Sequence, residues 1–73
     1  MSSEAAVLGA FTVAVGSAEA GLRLDRWFKR HYPQVPHALL EKWLRTGQVR
    51  LDGKRVTAGV RVEAGQSVRV PPV

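Results

Sequence analysis

One octapeptide, VRLDGKRV at positions 49–56, carries the signature of a β-hairpin. Apolar and polar residues alternate on both sides of an Asp-Gly pair, which is among the strongest local signals for a two-residue turn. That turn pairs residue 51 with 54, 50 with 55 and 49 with 56, so Val49, Leu51 and Val56 share a core-facing side. Arg50 and Arg55 then face each other on the outer side, where like charges are destabilising. The hairpin prediction therefore raises the question of what this arginine pair does.

A first helix is predicted over residues 24–32, because apolar side chains recur there at i, i+3, i+4 and i+7. Its apolar face holds Leu24, Trp27, Phe28 and His31. Asp25 lies in the first turn, where the helix dipole favours a negative charge, and Pro33 ends the helix. We interpret His31 as a residue at the edge of the core, because it shares no metal-ligand spacing with another histidine or an acid.

A second helix is predicted to begin at Pro36, because the missing N–H of proline costs nothing at the first helical position. Its apolar face holds Leu39, Leu40, Trp43 and Leu44. Gly47 is predicted to follow the helix in the left-handed conformation. Both tryptophans of the chain lie in apolar faces, so we interpret them as core residues and not as platforms for stacking bases.

Alternating residues predict further strands over residues 11–15, 60–62 and 68–70, with a turn at 63–67 between the last two. The order of elements is therefore strand, helix, helix and then several strands. This order predicts an α+β fold in which two helices pack on a small, mainly antiparallel sheet.

The length and composition are typical of one small domain. The 73 residues include no cysteine, which excludes disulfides and Cys-based zinc sites, and no apolar stretch approaches the roughly 20 residues that span a bilayer. We assign residues 1–10 to a flexible N-terminus, residues 11–70 to the folded domain and residues 71–73 to the start of a linker. No catalytic residue, metal site or cofactor site is predicted.

Positive charge is concentrated in one segment. Residues 23–56 hold nine Lys and Arg against three acidic residues, although the whole chain has a net charge of only +5. A concentrated positive field indicates an anionic partner, either nucleic acid or a membrane surface, and a solvated surface that keeps the protein soluble is the alternative.

Several motifs at matching spacing resemble the S4 RNA-binding domain. They are the Arg-Leu-Asp at 23–25, the two helices, the Gly-x-Val-x-Leu-Asp-Gly-Lys-x-Val at 47–56, and the Val-x-x-Gly-x-x-Val-x-Val at 62–70. Within the family, the chain resembles the N-terminal domain of a bacterial large-subunit ribosomal RNA pseudouridine synthase, of the C type in the RluA class. The context of Asp25 lacks the Thr-Ser-Gly that follows the catalytic aspartate of such enzymes. The resemblance therefore implies no enzymatic activity for this chain alone and a catalytic domain beyond it.

The resemblance implies a cytoplasmic protein that binds structured RNA, with no membrane partner, through one basic face. The implied RNA-binding residues are Arg23, Arg26, His37, Lys42, Arg45, Arg50, Lys54 and Arg55. Lys29 and Arg30 are peripheral to this face, and Arg61 and Arg69 are expected to be ordinary outward positions on the sheet. Three alternatives stay open: a stand-alone S4 protein that associates with the ribosome, an S4 domain of another RNA enzyme, and a protein- or membrane-interaction module.

Overall fold

The computed structural model describes residues 11–72. Its elements are β1 (Phe11–Ala14), a short 3-10 helix (Ser17–Glu19), α1 (Leu24–His31), α2 (His37–Arg45), β2 (Arg50–Leu51) and β3 (Ser67–Val70). The α+β fold with two helices and an antiparallel sheet is confirmed. The flexible N-terminus predicted at 1–10 and the last linker residue lie outside the described residues, and Pro71, assigned to the linker, is buried.

The sheet has three strands in the order β1-β3-β2, so the last strand is central. Phe11 lies opposite Val70 and Val13 opposite Val68, while on the other side Leu51 lies opposite Val68 and Arg50 opposite Arg69. Valines are favoured in such a strand because branched side chains pack well on a pleated surface.

Twelve buried hydrophobic residues from both helices, the sheet and the connecting segments form one core cluster. Both tryptophans belong to it, with Trp27 fully buried and Trp43 8% exposed. The interpretation of the tryptophans as core residues is therefore confirmed, and the apolar face of each helix is covered by the domain's own core.

Two strand predictions are wrong. The hairpin at 49–56 closes with only one bridge, Leu51 to Lys54, and on its other edge β2 pairs with β3. The predicted strand at 60–62 is reduced to a single bridge between Arg61 and Arg23. Val62 is fully buried and Val56 half-buried. The apolar residues of both stretches therefore pack on the core without forming the hydrogen-bonded ladder of a strand.

The helix boundaries need one correction. Pro36 precedes the first helical residue and has extended backbone angles, so α2 begins at His37 and proline serves as its N-cap. No side chain caps this helix start. Proline at this position still leaves one fewer unpaired backbone donor at the helix start, because it has no N–H.

Candidate nucleic-acid interface

The C-terminus of α2 ends in a Schellman motif. The N–H of Gly47 donates to the carbonyl of Leu44 at 3.2 Å, and the N–H of Gln48 donates to the carbonyl of Trp43 at 2.8 Å. Gly47 has a φ of +76°, the left-handed conformation that glycine adopts without steric cost. The prediction of a left-handed glycine here is confirmed, and the chain turns directly from α2 into β2.

The Asp52-Gly53 turn also has the predicted geometry. Both residues have positive φ, 51° and 77°, as in a type I′ turn, and Leu51 and Lys54 exchange two backbone hydrogen bonds of 3.0 Å. The Asp52 carboxylate accepts the N–H of Ser67 at 2.8 Å, which ties the turn to the start of β3. The turn therefore holds Lys54 at the surface beside the end of the sheet.

Arg50 connects this turn to the end of α2. Its Nε donates to the carbonyl oxygen of Gly47 at 2.9 Å, and its Nη1 donates to the carbonyl oxygen of Gly53 at 3.4 Å. Arg50 is half-buried, whereas the other residues of the predicted set are exposed. Much of the hydrogen-bonding capacity of Arg50 is therefore used inside the domain.

Arg55 does not pair with Arg50 in a ladder, yet both guanidinium groups lie over Gly47. A Cβ built on Gly47 would lie 2.8 Å from Nε of Arg55 and 3.1 Å from Nη2 of Arg50. Both groups therefore cover the same glycine, which is buried although it lies at a helix end. The two arginines are near each other, as predicted. They are near because both pack over Gly47, and not because they pair in the hairpin.

Sequence reasoning missed Arg69, which was expected to be an ordinary outward residue. Its Nη1 donates to the carbonyl oxygen of Gln48 at 3.2 Å, and its Cα lies opposite that of Arg50. The alternation of β3 indicated that Arg69 points outward, but no sequence signal indicated which strand would lie beside it.

The start of α1 carries a second basic group. Arg23, the N-cap residue, forms a bidentate pair with Asp25 through Nε–Oδ1 at 3.2 Å and Nη2–Oδ2 at 3.1 Å, and Oδ1 also accepts the N–H of Arg26 at 2.8 Å. The hydrogen bond from Arg23 lowers the pKa of the Asp25 carboxyl, with smaller contributions from the Arg26 N–H and from His37. Asp25 thus links the Arg23 side chain to the first turn of α1.

The remaining predicted residues lie along α2. Lys42 and Arg45 are exposed and three residues apart, so they share one face of the helix. His37 is exposed at the helix start, where Nε2 lies 3.2 Å from Oε2 of Glu41. A groove of about 340 Å³ lies between one side of α1, the segment that connects the helices and the start of α2, and includes Asp25, Lys29 and His37 in its lining.

The structure thus divides the predicted set. Arg50 and Arg55 come together at the end of α2, close in the chain to Arg45 and Lys54, whereas Arg23, Arg26 and His37 belong to the helix starts. Among residues 11–72, no carboxylate lies within 4 Å of the cationic groups of Lys42, Arg45, Lys54 or Arg55. The end of α2 and the turn therefore carry cations that the described part of the domain does not neutralise.

His31 has a structural role in the described fold. Its ring stacks on Trp27 with the ring centroids 4.2 Å apart, and Nε2 lies 2.8 Å from Oε1 of Glu19. Its position at the edge of the core agrees with the interpretation from sequence. Within residues 11–72, no group of three or more His, Cys, Asp or Glu side chains is arranged to hold a metal ion. In the same range, no helix has the length and apolar character needed to cross a bilayer.

A family model for the S4 domain matches residues 22–68, which include both helices, the turn and the Schellman glycine. The chain belongs to the S4 domain family. The S4 domain is 39% identical over 61 residues to the ribosomal large subunit pseudouridine synthase C of Salmonella typhimurium, an alignment that covers 84% of this chain and 19% of that protein. It is 43% identical over 54 residues to the protein of the same name from Vibrio cholerae, covering 74% of this chain and 17% of that protein.

A third relative with that name, from Buchnera aphidicola, is 35% identical over 51 residues, covering 70% of this chain and 16% of its own length. The S4 domain described here therefore spans about a fifth of the length of the curated relatives it matches, 19% for the Salmonella protein.

Proposed function

We propose that this S4 domain binds structured ribosomal RNA and positions it for the catalytic domain of a large-subunit pseudouridine synthase. The observation that carries the proposal is the group of exposed cations at the end of α2 and the adjoining turn that have no carboxylate partner in the described domain. The names of the relatives supply the second half of the proposal, because each of them is a ribosomal large subunit pseudouridine synthase.

The proposed interface uses phosphate and ribose contacts. Side chains cannot read the deep, narrow major groove of an A-form helix, so binding depends on phosphates, 2′-hydroxyls and shape. Arg45 and Arg55 offer planar forks that match two phosphate oxygens, while Lys42 and Lys54 act as point charges. Arg23, Arg26 and His37 extend the proposed surface to the helix starts, where Arg23 and His37 are partly engaged by acids.

Arg50 has a different part in this proposal than its exposed neighbours. Its Nε and Nη1 donate to backbone carbonyls, so it contributes charge and geometry more than free donors. Of the eight proposed residues, Arg50 is therefore the one that also orders the surface, and the others are proposed as direct phosphate contacts.

A membrane-interaction module is the rival of a different class. A helix that binds lipid needs an exposed apolar face. The apolar residues of α1 and α2 belong to the core cluster, and Phe11 is the one large hydrophobic residue among positions 11–72 that is classed as exposed. Co-sedimentation with anionic vesicles separates the rivals, because the RNA proposal expects the folded domain to stay in the supernatant at physiological salt.

A salt titration of RNA binding tests the proposal directly. With about 4 to 6 phosphate contacts and the single-strand coefficient, log K against log salt falls with a slope of about −3 to −4. The probe is a set of labelled fragments of bacterial large-subunit ribosomal RNA. A slope near zero contradicts the phosphate-contact surface, and equal affinity for all fragments contradicts selection by RNA structure.

The pseudouridine synthase context has a separate test. A full-length protein that carries this S4 domain is expected to isomerise uridines in large-subunit ribosomal RNA in the cytoplasm, and the isolated domain is expected to isomerise none. Deleting residues 11–70 from that protein should weaken its binding to ribosomal RNA more than it slows the reaction at saturating RNA, because the domain contributes affinity through its tether.

A further inference from the structure

We propose that the guanidinium groups of Arg50 and Arg55, which both lie over Gly47, form a single phosphate-binding site. Gly47 makes room for this site because it has no side chain. The inference deepens the proposed RNA-binding function and rests on it for the source of the phosphate. It assigns a distinct ligand group, one phosphate, to two named side chains and a glycine.

The first step is the position of the two cations. A Cβ on Gly47 would have as its nearest neighbours Nε of Arg55 at 2.8 Å, Nη2 of Arg50 at 3.1 Å and Nη2 of Arg55 at 3.3 Å. Three guanidinium nitrogens from two side chains therefore surround one point above the glycine. Any side chain at this position would occupy the space in which the two groups converge.

The second step is the difference between the two arginines. Arg50 is held from two sides, by the carbonyl of Gly47 through Nε and by the carbonyl of Gly53 through Nη1, which leaves Nη2 on the side of Arg55. Arg55 is exposed and donates to no acceptor among residues 11–72. Arg50 is thus a preorganised cation, and Arg55 is an adjacent cation that is free to close on a ligand.

The third step is charge. Two guanidinium groups this close repel each other, and no carboxylate in the described part of the chain lies within 4 Å of either group. A phosphate places two acceptor oxygens and a negative charge between the two groups, and paired N–H donors on a phosphate are among the strongest hydrogen bonds in proteins. The ligand chemistry is therefore a phosphate, either in an RNA backbone or free in solution.

The test fills the space over Gly47 with a side chain and leaves both arginines in the chain. Gly47→Asn keeps a residue that tolerates positive φ, so the end of α2 can persist, while its Cβ displaces the mobile end of Arg55. Gly65→Asn is the matched control, because Gly65 also has a positive φ, +88°, and nothing lies within 4 Å of its Cβ position. Arg55→Ala removes the site with no change at the glycine, and backbone amide spectra report whether each variant is folded.

The primary readout is the NMR resonance of the Arg55 Nε–H during titration with inorganic phosphate. We expect it to shift saturably in the wild type and in Gly65→Asn, and to shift much less in Gly47→Asn. The inference is overturned if the wild-type resonance does not respond, or if Gly47→Asn responds as the wild type does.

The second readout identifies the source of the phosphate and separates this inference from the proposed function. With ribosomal RNA fragments, Gly47→Asn and Arg55→Ala should each make the salt slope shallower by about 0.7, the value for one lost phosphate contact. In the Arg55→Ala background, Gly47→Asn should have no further effect. If the wild type binds no RNA but its Arg55 resonance responds to inorganic phosphate, the proposed function fails and the site stands. If RNA binds with an unchanged slope in both variants, RNA is not the source of the phosphate, and the inference then stands or falls on the response of Arg55 to inorganic phosphate.

Discussion

Arg50 lies directly opposite Arg69 across the β2–β3 pair, and both guanidinium groups donate to carbonyl oxygens just beyond the end of α2, those of Gly47 and Gln48. A like-charged pair directly across a sheet is destabilising by itself. Here the carbonyl acceptors and the negative end of the helix dipole offset the repulsion. The arginine pair is therefore compatible with a stable domain before any ligand binds.

The contacts of Arg50 predict a measurable loss of stability. Arg50→Met keeps an apolar stem but removes the bonds to Gly47 and Gly53, so we expect the free energy of unfolding to fall by about 1 kcal/mol. Arg55→Met is the matched control, because it removes the same charge from a side chain without a carbonyl partner, and it should be neutral or slightly stabilising. Urea denaturation followed by tryptophan fluorescence measures both, and equal losses would contradict the structural role of Arg50.

The core predicts a contrast between two leucines. Leu24 is fully buried at the start of α1, so Leu24→Ala should cost about 2 to 5 kcal/mol through lost burial and the cavity left behind. Leu39 is half-buried on α2, and Leu39→Ala should cost about 1 kcal/mol. Thermal unfolding of the two variants compares them, and a cost at Leu39 as large as that at Leu24 would be inconsistent with the burial described here.

The Arg23–Asp25 pair predicts a pH dependence. The pKa of Asp25 is lower in the folded than in the unfolded chain, so the pair stabilises the fold above the unfolded value near 3.9 and ceases to do so as the pH falls through the folded value. Because the Arg23 side chain is 49% exposed, solvent screens the pair and its contribution to stability is small.

Asp25→Asn tests this dependence. The variant should be less stable than the wild type at pH 7, and the difference should shrink toward pH 2. Glu63→Gln is the control, because Glu63 is exposed and has no cation within 4 Å among the described residues. A difference for Asp25→Asn that grows as the pH falls would have the wrong sign for a carboxylate stabilised by Arg23.

If the proposed RNA surface is correct, RNA affinity depends on where the positive charges lie and not only on the net charge of the domain. Arg45→Glu combined with Arg55→Glu should weaken binding to ribosomal RNA fragments by at least about tenfold more than Lys29→Glu combined with Arg30→Glu, which changes the net charge equally. Filter binding at one fixed salt concentration measures both, with circular dichroism as the check on folding. Equal losses in the two double variants would mean that a diffuse positive field, and not this face, holds the RNA.

Local signals predicted the elements that depend on neighbouring residues. The helical spacing of Leu24, Trp27 and Phe28 predicted α1 to within one residue, and Gly47 took the left-handed conformation expected after α2. The Asp52-Gly53 turn formed as its dipeptide predicts. These features depend on backbone sterics and on a periodicity that is complete within a few residues.

The partners of each strand were not predictable in this way. An alternating stretch shows which side of a strand is apolar, but not which strand it pairs with. The hairpin stops after one bridge, and β2 pairs with β3 on its other edge. Arg69 could therefore be placed on an outer face from sequence, but not beside Arg50 and the end of α2.

The amino-acid order thus specified two helices, one turn and a chain rich in cations between residues 23 and 56. Only the folded structure brought Arg50 and Arg55 together over Gly47 and set Arg69 across from Arg50. The physical reason is that turns and caps are satisfied by local backbone bonds, whereas the meeting of side chains at the end of α2 depends on which distant strands share the core.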